Sequence, residues 1–109
     1  MIEIEKRFSM LPDKDRETII SYGASLRLTS LKKRYFLADQ KVKSFENQYK
    51  TTLKKLETGG VPDNADHEMH EDYIEWSHWV RAAEKCKKEI VLVQGIVQQG
   101  LRTEDFPYS

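Results

Sequence analysis

Cysteine is almost absent from this 109-residue sequence: the single Cys86 cannot form an internal disulfide and cannot alone supply a thiolate metal site. Nothing therefore points to an oxidising compartment, and a cytoplasmic location is expected. Net charge is absent too, since 18 Lys and Arg balance 18 Asp and Glu. The chain as a whole then exerts no bulk attraction on nucleic acid or on an anionic membrane. Long apolar runs are missing: Ile90-Val91-Leu92-Val93 is the longest, far short of the roughly 20 residues that span a bilayer. Met1 to Met10 lacks a signal peptide's apolar core, so a soluble protein without a membrane partner is expected. No Gly-x-Gly-x-x-Gly or Walker loop offers a scaffold for phosphate chemistry.

What is present is helical periodicity. Leu28, Leu31, Tyr35, Ala38, Val42, Phe45, Tyr49, Thr52 and Leu56 follow one another at intervals of three and four, which holds them on one helical seam. Met69, Tyr73, Trp76, Val80, Ala83, Lys87, Ile90, Gln94 and Val97 repeat the pattern, interrupted only by Lys87 and Gln94. Between the two seams lies the one strong break, Thr58-Gly59-Gly60-Val61-Pro62-Asp63-Asn64, with glycines suited to end a helix and a proline that cannot continue it. A helix over 24–58, a turn over 59–64 and a second helix over 65–94 are expected. A helix of the first length is too long to be stable without a partner along its seam. The two should therefore form an antiparallel, coiled-coil-like hairpin.

Charge supports that register. Residues 1–57 carry 13 basic and 8 acidic side chains, and residues 58–109 carry 5 basic and 10 acidic. Folding about residue 60 or 61 is expected to bring Asp63, Asp66, Glu68, Glu71, Asp72 and Glu75 alongside Lys50, Lys54 and Lys55. Such exposed pairs contribute about 0.2–1 kcal/mol each, enough to choose a register but not to hold the hairpin. At the N-terminus, Ile2, Ile4 and Phe8 precede Leu11-Pro12-Asp13, which reads as a short helix, a turn, and a second helix whose first turn is acidic. These N-terminal helices, within 2–23, are expected to pack on the hairpin. The whole is a single all-α domain, 1–109, built as a three- to four-helix bundle, with 95–109 as a C-terminal tail weakened by Gly95 and Gly100. A homodimer can satisfy the same apolar surfaces.

The densest chemical cluster is His67 to Trp79, which holds all three histidines and both tryptophans. Glu75 and His78 have the Glu-x-x-His spacing of ferritin-like di-iron proteins, and Glu46 falls roughly opposite, so a dimeric metal-binding protein is the alternative reading. At about 100° per residue, however, His78 lies about 200° from Trp76 and points away from the seam, whereas di-iron ligands project into the core. No metal and no cofactor are expected. Cys86 has no histidine nearer than His78 and reads as a small apolar filler, not a nucleophile. No enzyme is expected. Arg27 to Lys55 carries nine basic residues against Asp39 and Glu46, but several face the acidic second helix, and direct nucleic-acid binding is not expected. Trp79, about 60° off the seam, is the best surface anchor, with Tyr73, Trp76, Phe106 and Tyr108 the other candidates for partner contact.

The strings Phe45-Glu46-x-x-Tyr49-x-Thr51-Thr52-Leu53-x-x-Leu56-Glu57, Gly60-Val61-Pro62-Asp63 and His70-Glu71-Asp72-Tyr73-Ile74-Glu75-Trp76 resemble small all-helical antitoxins of prokaryotic toxin–antitoxin pairs, such as those encoded beside TumE-like toxins. Leu11-Pro12-x-x-x-Arg16-Glu17-x-Ile19-Ile20 resembles the opening helix of such antitoxins. The resemblance spans most of residues 11–79 and implies a protein that holds a cognate toxin inactive by direct contact, with no catalytic residues of its own.

Overall fold

The computed structural model describes residues 2–60 and 66–104, and among these the chain is all-α, with four helices. Helix α1, Ile2–Ser9, places Glu3 and Glu5 in its first turn and Lys6 and Arg7 in its last, matching the helix dipole at both ends. A turn through Met10 and Leu11 leads to Pro12, whose carbonyl accepts the Arg16 amide as helix α2 begins. Helix α2 then runs without a break from Asp13 to Tyr49, so the expected second N-terminal helix and the first hairpin helix are one. Gly23 does not interrupt it.

The long helix ends earlier than its periodicity predicts. The expected continuous helix over 24–58 is broken at Lys50, which takes a left-handed φ of 56°, and Thr52 starts a new helix. The Thr52 hydroxyl accepts the Lys55 amide at 3.2 Å, capping helix α3, Leu53–Gly59. Gly60 closes α3 with φ 79° and donates to the Glu57 carbonyl, as the glycine pair predicts. Helix α4, His67–Glu104, opens on Asp66, whose carboxylate accepts the Met69 amide at 2.8 Å. It continues ten residues past the expected end at residue 94. Each glycine costs about 1 kcal/mol in a helix interior, and the half-buried Ile90, Val93 and Val97 offset that cost.

Helices α2 and α4 pack against each other, and the contacts of the chain divide into two compact units. In the first, Met1–Leu31 with Glu89–Ser109, Phe8 and Leu11 are half-buried, and Arg27 meets Glu89 at 3.3 Å across the α2–α4 pair. The Arg16 guanidinium donates to the carbonyls of Ser9 at 2.8 Å and Leu11 at 3.1 Å and pairs with Asp13, which ties α1 to the start of α2. Leu31 is the one buried core residue among the described residues of this unit. The second unit, Lys32–Lys88, buries Ala38, Leu53 and Trp76. Phe45 and Tyr49 stack on Trp76 at centroid distances of 5.7 and 5.8 Å, so the aromatic parts of the two seams meet antiparallel.

Candidate partner-binding surface

The second unit carries a surface groove beside α3. Because α3 restarts with a new phase after Lys50, Leu53 rather than Thr52 turns inward and is buried against α4. A groove of about 400 Å³ results, with Leu53 and Val80 among its lining residues and Tyr73, Ile74 and Ser77 along the α4 side. Glu57, Arg81 and Glu84 supply its charged rim. Ile74 remains 67% exposed, an apolar side chain on a stretch of α4 otherwise bearing His70, Glu71, Glu75 and His78. The groove can take an apolar side chain of another protein, with Arg81 placed for an anionic neighbour and the two glutamates for a cationic one.

Of the five residues expected to contact a partner, the three described ones, Tyr73, Trp76 and Trp79, do not form one surface. Trp76 is 1% exposed between Phe45 and Tyr49 and belongs to the core, which corrects its expected contact role. Tyr73 is half-buried, lines the groove and donates its hydroxyl to Glu57 at 3.1 Å. Trp79 is half-buried on the other flank of α4, about 120° from Tyr73 at roughly 100° per residue. Its indole Nε1 donates to Glu75 at 3.4 Å, and His78 meets its ring edge-on at 5.2 Å. Phe106 and Tyr108 lie outside the described residues. Periodicity missed Ile74, Leu53 and Arg81; the available signal was Ile74 itself, an isoleucine off the seam among charged neighbours.

The expected ionic pairing across the hairpin is also corrected, with Asp63 lying outside the described residues. Among the described residues, Lys50, Lys54 and Lys55 make no salt bridge with the acidic start of α4. Asp72 instead accepts hydrogen bonds from the Tyr49 hydroxyl and from Gln48, and His67 pairs with Glu71 on its own helix at 2.8 Å. The Asp72 carboxylate, by accepting the Tyr49 hydrogen bond, and then burial, push the Tyr49 phenol up to about 12 from its ordinary 10. Neutral partners can use a tight contact that two rigid charged chains would reach only at an entropic cost. Within one chain, no three His, Cys, Asp or Glu side chains among the described residues are grouped to hold a metal ion. Among the described residues no helix is long and apolar enough to cross a membrane.

Comparison with family models, with curated proteins and with solved structures finds no match to this chain.

Proposed function

We propose that this chain is a protein–protein interaction module, and specifically an antitoxin that neutralises a cognate toxin by direct binding. The observation that carries the reading is the groove beside α3, where exposed Ile74 and half-buried Tyr73 present apolar surface inside a charged rim. Interfaces concentrate their binding energy in such apolar and aromatic anchors surrounded by polar groups. The antitoxin assignment rests on the motif resemblance of residues 11–79, and the groove supplies a surface for it to use. Neutralisation then needs only occlusion of the toxin, with no bond made or broken by this chain.

The test is co-expression with the open reading frame next to its gene, scoring growth and co-purification together. Rescue of growth with a stable complex is expected, and Ile74→Asp, which places a charge on an exposed position without touching the core, is expected to weaken the complex by tenfold or more, about 1.4 kcal/mol. Absence of both toxicity and complex overturns the antitoxin reading. A complex indifferent to Ile74→Asp and to Trp79→Ala removes the groove and the Trp79 flank from the interface.

A further inference from the structure

Helix α2 is apolar on two opposite faces. At about 100° per residue, Leu28, Leu31, Tyr35, Ala38 and Val42 occupy the side toward α4, and Ile19, Tyr22, Leu26, Lys33, Phe36 and Leu37 lie within about 100° of one another on the reverse side. Thr29 and Lys33 interrupt this second stripe. Its apolar members are 50% (Ile19), 70% (Tyr22), 75% (Leu26), 65% (Phe36) and 50% (Leu37) exposed, along one unbroken helix. A helix with apolar stripes on both sides is built for burial on both sides, and nothing among the described residues covers the second one.

We propose that a second copy of this chain covers it, with the two α2 helices packed antiparallel about a two-fold axis at Thr29. The aromatic residues of the stripe are symmetric about that point. Tyr22 and Phe36 each stand seven residues from Thr29, so antiparallel pairing sets Tyr22 of one copy against Phe36 of the other, and Ile19 against the neighbourhood of Leu37. The same pairing sets Asp15, on the stripe side of one copy, opposite Lys43 of the other. Parallel pairing would instead align the basic stretch Lys32-Lys33-Arg34 with itself, a like-charge juxtaposition. Lys33, facing Ser25 of the second copy, can lay its methylenes on the apolar stripe with the ammonium at the rim. The five apolar side chains leave on the order of 600 Å² per copy, which with flanking residues approaches the roughly 800 Å² per partner of a standard interface. A two-fold interface uses one patch on both copies, which is the pattern this stripe has.

The proposal is independent of the toxin and is tested on the full chain alone. Sedimentation velocity is expected to give twice the 12.8 kDa chain mass, and Tyr22→Glu with Phe36→Glu is expected to give a monomer of unchanged helicity, a loss of at least 100-fold in self-affinity. Orientation is read separately in a Cys86→Ala background with a short bis-maleimide. Mixing Tyr22→Cys with Phe36→Cys chains should cross-link the two to each other, while each alone should not. A chain that stays monomeric at about 100 μM, a Kd too weak for a specific dimer, overturns the proposal, whatever else then covers the stripe. A dimer unaffected by the glutamates overturns it equally, and efficient self-cross-linking of Tyr22→Cys overturns the antiparallel arrangement.

Discussion

Trp76 is where the stability of the second unit can be tested most sharply, because it combines near-complete burial with a polar atom that has no partner among the described residues. The ring is 1% exposed, is stacked by Phe45 and Tyr49, and holds its Nε1 donor without a hydrogen bond among the described residues. A buried aromatic removes about 150–250 Å² from water, which at about 25 cal/mol per Å² gives about 4–6 kcal/mol as an upper bound. Against that stands the unpaired donor, at about 1–3 kcal/mol. Trp76→Ala forfeits the area and opens a cavity, so a loss of about 3–5 kcal/mol is expected, about a fifth or more of the stability of an ordinary domain. Trp76→Phe keeps a stacking ring and deletes the unpaired donor. The smaller ring and the relief then nearly cancel, and a change within about 1.5 kcal/mol is expected. Urea unfolding followed by far-ultraviolet circular dichroism, at one protein concentration and with slopes compared, measures both. Equal losses for the two variants would refute the reasoning, since the indole N–H would then be contributing a bond. A loss below about 1 kcal/mol for Trp76→Ala would refute the placement of the core itself.

Two further perturbations follow from the same unit. Lys50 holds a left-handed φ that costs a side-chain-bearing residue about 1–2 kcal/mol, so Lys50→Gly is expected to raise stability by up to about 1 kcal/mol in the same urea titration; a loss would mean that the Lys50 side chain contributes more than its backbone costs. Tyr49 has its phenol raised in the folded state, so its contribution to stability is complete below pH 10 and is lost as pH rises toward about 12. Tyr49→Phe should remove that part of the alkaline fall in stability, and identical pH profiles for the two proteins between pH 10 and 12 would show that the Asp72 bond does not form.

Much of this architecture is legible in the sequence because it rests on spacing. The seam positions Leu31, Ala38 and Trp76 are three of the four buried hydrophobic residues among the described ones, and the Gly59-Gly60 stop falls where α3 ends. Leu53, the fourth, escapes because three-four spacing runs uninterrupted from Tyr49 to Thr52 and Leu56, and lysine carries no stop signal. The break is made by backbone geometry at Lys50 and confirmed by the Thr52 cap, a threonine directly ahead of a leucine. The far end of α4 was hidden for the opposite reason, since glycine content argues locally against a helix that its half-buried aliphatic neighbours sustain. The groove was illegible because it depends on where α3 lies against α4, a consequence of that same break. The charge pattern gave the polarity of the two halves correctly but not their contacts, because a hydroxyl and an amide took the place of the lysines at Asp72.

The interruption at Lys50 to Thr52 also sets how the chain tolerates change in length. In an unbroken helix, losing or gaining one residue turns everything beyond it by about 100° and carries each apolar side chain off its partner. Here α3 takes its bearing from its own cap, so a length change late in α3 leaves the phase of α2 as it was. Errors of register made on one side of Lys50 stop there, and the seven-residue helix that walls the groove can be reshaped for a different partner while the aromatic stack on Trp76 keeps its alignment.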